Sequence, residues 1–307
     1  GWLLHEYRFS AGAVADPKID PARSFDPVKR GQALVLVRAE QGLGDELMFG
    51  SMIPDFHLLA GSLVVQSDRR LLPLLRRSFD SEIRFIETGS QIDLDAFGAE
   101  ISAGSIGKYV RTKYDSFSKA SAGYLKSDHD EEKKLRKLMS SATESPILGI
   151  SWRTTNPDSA EQRDIDLALI CEVLRETFPH VKLVSLQYGK VEAEIERVEK
   201  SSGIAVFQCP SVDVTQDIDR VAALITACDA VVTIGNTTAH LCGALGKKAA
   251  VLLPFAPSWR WMAGGRNTPW YSSIELFRKK DPHTHWRDVI VEAATWLTHA
   301  VPIRNAI

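Results

Sequence analysis

Between residues 147 and 253 the chain alternates short, unbroken apolar runs with stretches whose apolar positions recur at helical spacing. The runs at 147–152, 181–187, 204–208 and 230–234 are rich in β-branched residues and predict strands buried on both faces. Between them, 165–178 carries Leu167, Ile170, Cys171 and Leu174 on one helical face, and 191–200 and 218–227 follow suit. This alternation predicts a doubly wound parallel sheet. The stretch 228–254 is its clearest part: a strand at 230–234, a turn at Gly235, a helix N-cap at Asn236, a helix of about nine residues, a stop at Gly246, and a further strand before Pro254. Lys247 and Lys248 fall at the negative end of that helix.

The front half reads the same way with weaker signals. A strand is predicted over 33–38, a loop over 39–44, one helix over 45–59 with Asp45 at its start, strands over 63–66 and 83–86, and a helix over 70–79. The pattern fades between 88 and 126; a charged helix follows at 130–141, and 143–146 reads as a link. Pro17, Pro21 and Pro27 mark 11–29 as an extended linker without periodicity. The segment 254–271, rich in Trp, Pro and Gly, is expected to line a cleft or brace two domains, and 286–299 reads as a last helix. The opening GWLLHEYRF looks like the tail of a helix, so the chain is expected to be part of a longer protein. The predicted organisation is a segment and linker at 1–30, a Rossmann-like domain at 31–143, a second at 144–285, and a helix and tail at 286–307. The fold class is α/β, with two doubly wound domains facing each other across a central cleft.

Composition narrows the function classes. The 307 residues suffice for two domains with sizeable cores. A net charge of -2 without a basic stripe gives no footing for nucleic-acid binding. No apolar run approaches the ~18 residues of a membrane span, so a soluble, cytoplasmic protein is expected. Cys171, Cys209, Cys228 and Cys242 lie far apart and read as buried thiols.

Three loops carry candidate chemistry. In EQGLGDE (40–46), Gly42 and Gly44 allow a phosphate or sugar to lie against the backbone, and Asp45 is placed to accept a proton. The loop lacks the third glycine of the dinucleotide fingerprint. In WRTTNPDSAEQRD (152–164), Arg153 and Arg163 can clamp a diphosphate, with Thr154 and Thr155 adding hydroxyls; a solvated surface loop is the plainer alternative. At 236–240, the N–H groups of Thr237, Thr238 and Ala239 suit a phosphate, the alternative being a Thr-rich cap with a His packed on the sheet. The D-x-D pairs at Asp93, Asp128, Asp164 and Asp217 read as structural, three of them as helix caps, and His283 and His285 make no zinc signature, so no metal or cofactor is expected.

These residues resemble a known family. QGLGDELMF (41–49), SWR (151–153), GNTTAHLCGALGK (235–247) and PFAPSWRWM with PWY (254–271) are similar to glycosyltransferase family 9, a bacterial, heptosyltransferase-like group of GT-B fold, especially members joined to tetratricopeptide repeats. The resemblance implies an inverting, metal-independent glycosyltransferase with Asp45 as general base. It implies a nucleotide-sugar site made by Gly42, Gly44, Ser151, Arg153, Gln187, Asn236, Thr237, Thr238, His240 and Trp259, the last stacking on sugar or base or else packing between domains. The implied partners are a nucleotide-diphosphate sugar and an acceptor, protein or glycan. Heptosyltransferases carry Asp-Thr where this chain has Gly235-Asn236, which argues against ADP-heptose as donor. A non-catalytic binding or scaffold module and a sugar-nucleotide epimerase are the competing readings.

Overall fold

The computed structural model describes residues 1–28, 34–117, 122–140, 145–155 and 157–301, which form two compact units, Gly1–Lys126 and Ser127–Ile307. Ala33, expected to open the first strand, and Thr143 and Glu144 of the expected link lie outside the described residues, as do 29–30 of the linker, Asn156 and the tail 302–307.

In the first unit, α1 (Trp2–His5) precedes β1 (Val35–Arg38), α2 (Leu43–Gly50), α3 (Ile53–Ala60), β2 (Leu63–Ser67), α4 (Leu72–Ser78), β3 (Ile83–Glu87), β4 (Ala99–Ser102) and α5 (Gly107–Val110). The four strands are parallel in the order β3-β2-β1-β4, with Val35 beside both Leu63 and Ala99. The single helix expected over 45–59 is two. The Ser51 hydroxyl bonds the Met48 carbonyl at 2.7 Å, and Pro54, which has no N–H to give, starts the new helix.

Strand β4 escaped the apolar pattern because Glu100 lies within it, 2 % exposed and paired with Arg38 at 2.8 Å. The expected linker is part of this unit: Ser24 bridges to Glu100, the Phe25 N–H donates to the Glu100 carbonyl at 3.0 Å, and the Phe25 ring packs edge-on against Phe56 and Tyr109.

The second unit holds α6 (His129–Met139), β5 (Ile147–Ser151), α7 (Pro157–Arg163), α8 (Leu167–Thr177), β6 (Lys182–Ser185), α9 (Glu192–Ser202), β7 (Val206–Phe207), α10 (Ile218–Ala227), β8 (Ala230–Ile234), α11 (Thr237–Ala244), β9 (Ala249–Leu253), β10 (Ile274–Arg278) and α12 (Trp286–Ala300). All six strands run parallel in the order β10-β9-β8-β5-β6-β7. Strands β5, β8 and β9 are buried at every position, as their unbroken apolar runs require.

The sequence pattern passed over β10, whose short run follows the irregular Trp-rich segment. The charged helix α6, expected in the first domain, packs on α10. Arg220 donates to Glu131 at 2.9 Å, and Arg136 pairs with Asp229 at 2.9 Å. The units therefore divide before α6 rather than at residue 143.

Gly246 ends α11 with φ of 68°, in the left-handed region where glycine is favoured. Lys247 serves a different helix from the one expected, donating to the Thr226 carbonyl at the end of α10 at 3.0 Å and to that of Cys228. Asp93, Asp128, Asp166 and Asp217 each accept a backbone N–H one or more residues on, as caps. The four cysteines are buried free thiols. Among the described residues no helix is long and apolar enough to cross a membrane.

Candidate functional site

In the second sheet the chain runs outward from β5 to β6 and β7, then returns to β8 and continues the other way. The loops leaving β5 and β8 therefore diverge, opening a crevice at the carboxyl edge where open α/β sheets take ligands. Asn236 ties its two sides together. Its Nδ2 donates to Ser151 Oγ at 2.9 Å and to the Arg153 carbonyl at 3.3 Å, while Oδ1 accepts from Thr233 Oγ1 at 3.1 Å and from the Ala239 N–H at 3.4 Å.

Gln187, 1 % exposed, fixes the β5 loop from the other side. Its Oε1 accepts from Ser151 Oγ at 3.1 Å and from the N–H groups of Trp152 and Arg153 at 2.9 Å each, and its Nε2 donates to the Tyr188 carbonyl at 3.0 Å. With both ends of its amide engaged, Gln187 shapes the crevice from beneath. Ser151 is likewise fully buried.

The Ala239 N–H, expected to face a phosphate, is bonded by Asn236. By helix geometry, Thr237 and Thr238 have no carbonyl of their own helix to bond, so their amides make the open positive end. Thr238 turns its hydroxyl towards Ser151 at 3.5 Å, leaving the half-buried Thr237 as the outward one.

Arg163 donates to the Gly235 carbonyl at the tip of β8. Burial pushes its pKa down, and the charge of Arg260 adds to the effect, so two guanidinium groups concentrate positive potential beside the α11 N-terminus. Arg153 turns the other way, donating to the Lys190 carbonyl and lying 3.7 Å from Glu194. Tyr188 reaches Thr154 and Thr155, which draws the β5 loop over β6.

Behind α11 stands an aromatic wall that the sequence pattern did not resolve. His240 stacks on Trp261 with ring centroids 4.7 Å apart, and its Nδ1 lies 3.1 Å from the Tyr271 hydroxyl. Burial, reinforced by Arg260 and Arg163, drops the His240 pKa to about 3, so the ring is neutral at neutral pH. A Cβ on Gly235 would sit 2.6 Å from Trp261 Nε1, and one on Gly243 2.2 Å from the Tyr271 ring. Trp261, Trp270 and Tyr271 thus pack inside the second unit rather than lining or bracing as expected; Trp259 is 46 % exposed with Arg260 over its ring.

Next to the crevice, past the ends of β6 and β7, lies a cavity of about 540 Å³ lined by Gln187, Lys190, Gln208, Asp213 and Thr215 among others. A larger hollow of about 690 Å³ lies beyond edge strand β10, lined in part by His283, His285 and Arg287. Its Arg287 is taken up by Glu172 and Glu176, and it stands two strands away from β8.

In the first unit the order β3-β2-β1-β4 puts the corresponding divergence between β1 and β4. Asp45 lies in the first turn of α2, half-buried, with Gly42 and Gly44 beside it. Its neighbour Glu46 is turned onto the end of β2, accepting from Ser67 Oγ at 2.6 Å and the Asp68 N–H at 2.9 Å. Glu40, hidden at the end of β1, receives Arg8 Nε at 3.2 Å, Arg8 Nη2 at 2.8 Å and the Gly104 N–H at 3.1 Å. No local pattern signals the Arg8–Glu40 pair, whose members stand 32 residues apart.

No protein-family model matches the chain. It is 30 % identical over 314 residues to Protein FlbA of Caulobacter vibrioides; the alignment covers 97 % of this chain and 52 % of that relative, so the chain spans about half its length. Among solved structures it is similar to the glycosyl transferase family 9 protein of Veillonella parvula, with TM-score 0.63 and 9 % identity over 88 % of this chain and 96 % of that one. It is also similar to Escherichia coli ADP-heptose LPS heptosyltransferase II, with TM-score 0.54 and 13 % identity over 86 % of this chain and 97 % of that one. The E. coli heptosyltransferase WaaC solved with ADP gives TM-score 0.53 and 10 % identity over 87 % of this chain and 99 % of that one. The fold is thus that of the GT-B glycosyltransferases, a pair of Rossmann-like units built on parallel sheets.

Proposed function

We propose that the chain is a glycosyltransferase that moves a sugar from a nucleotide-diphosphate donor to an acceptor hydroxyl, with inversion and without a metal. The observation that carries this reading is the anion cradle at the β5–β8 divergence: the α11 N-terminus with Arg163 at the Gly235 carbonyl and Arg260 close by. A diphosphate leaving group needs such fixed positive charge as its bond to the sugar breaks. The adjoining cavity of about 540 Å³ is large enough for a nucleoside, with the Gln208 amide and Thr215 hydroxyl as polar groups to read it.

Asp45 takes the proton of the attacking hydroxyl, since it is half-buried in a glycine-flanked turn that lets an acceptor come close. Inversion follows because base and leaving-group cradle act on opposite faces of the sugar. The glycine at 235 accords with this reading, since Trp261 leaves no room for the Asp of the heptosyltransferases. The donor named in the titles of the similar structures is therefore not carried over to this chain.

The test is a panel of UDP-, GDP-, ADP- and CMP-sugars, scored by thermal stabilisation and nucleotide release. One donor is expected to do both. In Asp45→Asn that donor still stabilises the protein while release with acceptor disappears. Absence of both signals across the panel would leave a non-catalytic scaffold, and donor interconversion without acceptor would make the chain an epimerase.

A further inference from the structure

The two loops that frame the divergence of the first unit are joined through one buried carboxylate. Glu40 ends the β1 side, and its Oε1 receives the N–H of Gly104, which opens the loop after β4, at 3.1 Å. The approach is so close that a Cβ on Gly104 would stand 2.0 Å from Glu40 Oε1. A carboxylate with a 1 % exposed side chain must have a cation against it, and Arg8 supplies one through both Nε and Nη2. Arg8 Nη2 also donates to Ser105 Oγ at 2.9 Å, so the guanidinium grips both loops at once. Ser105 in turn donates to Glu6, which pairs with Lys108 at 3.0 Å, and Trp2 Nε1 donates to the Arg111 carbonyl at 2.9 Å.

Directly after Glu40, Gln41 is held at φ of 63°, in the left-handed region that a non-glycine residue enters only where its surroundings hold it. Four residues on is Asp45.

We propose that Arg8 is a positioning residue: by neutralising Glu40 it locks the β1 and β4 loops together and holds the strained turn that presents Asp45. The opening segment of the chain thereby becomes a working part of the first unit's ligand edge. The consequence for catalysis rests on the reading of Asp45 as base; the consequence for loop order does not.

Hydrogen–deuterium exchange on the full chain, read by mass spectrometry, separates the two. In Arg8→Met, peptides covering residues 41–49 and 102–107 are expected to exchange about tenfold faster or more, with strands β2 and β3 keeping wild-type rates. Arg8→Lys, which keeps the charge but not the two-pronged geometry, is expected to fall between, and it decides the matter if Arg8→Met does not fold. Adding Glu40→Gln to Arg8→Met is expected to restore protection, since the buried charge is then gone.

Wild-type exchange in both loops of a folded Arg8 variant, or faster exchange spread evenly over the unit, overturns the proposal. With the donor found by the panel, Arg8→Lys is expected to lower kcat at unchanged donor KM. Loosened loops together with an active Asp45→Asn would remove Asp45 as base and leave the positioning role of Arg8 intact.

Discussion

The imidazole of His240 lies on the indole of Trp261 with planes 25° apart and centroids 4.7 Å apart, on the side of α11 away from its open amides. The contact makes His240 part of the wall that holds α11 in place. Being neutral suits this role, because a charged ring here would add a third positive group next to Arg163 and Arg260.

The second unit should therefore lose stability in acid. The unfolded chain protonates His240 near its ordinary value of about 6.5, while the folded chain resists until about 3. A base lowered in this way contributes stability that is complete above the unfolded value and is lost as pH falls from about 6.5 towards 3, with a limiting slope of about 1.4 kcal/mol per pH unit. Urea midpoints of wild type and His240→Gln between pH 4 and pH 7 check this. The difference between the two is expected to shrink steadily as pH drops, and parallel curves would contradict it.

Any side chain at position 235 should disturb the same wall. A Cβ there meets Trp261 Nε1 at 2.6 Å and Leu253 Cδ2 at 3.0 Å, one of them an indole that is itself 1 % exposed. Gly235→Ala is expected to cost about 1–3 kcal/mol, as overpacked cores do. Gly235→Asp should cost more, since it also buries a carboxylate. Denaturant unfolding and tryptophan emission check both, and an unshifted midpoint in Gly235→Ala would count against the packing.

The residues between the first helical turn and β1 should matter to folding. Phe25 is 6 % exposed, with the Phe56 ring 4.9 Å away and the Tyr109 ring 5.3 Å away. Phe25→Ala is expected to destabilise the first unit by about 3–5 kcal/mol. Exposed Val28→Ala, three residues on, is expected to change nothing measurable. Thermal unfolding of the two variants side by side settles it.

What could be read from the chain follows from how far each signal reaches. Strands β5, β8 and β9 and the turn at Gly235 and Asn236 were legible because each announces itself within a few residues, through an unbroken apolar run or a turn and cap. Asn236 was legible as a cap but not as the strut to Ser151, 85 residues away. Gln187 was assigned to the nucleotide-sugar set, yet its burial and saturated amide belong to tertiary structure and cannot be seen in a run of letters.

Strand β4 was hidden by a charge whose partner, Arg38, sits on the neighbouring strand 62 residues earlier. The wall residues Trp261 and Tyr271 were visible as aromatics in an irregular segment. Their spacing follows no helix or strand period, so nothing local said which side of the sheet they cover.

The pairing of Ser24 and Phe25 with Glu100 also bears on the solubility of the first unit. It occupies the outer rim of β4, the last strand of the sheet, with backbone from the same molecule. A version trimmed to begin at the first long strand would uncover that rim and offer it to the next copy as a template for strand addition. The unassuming proline-rich stretch thus doubles as an insulator against self-association.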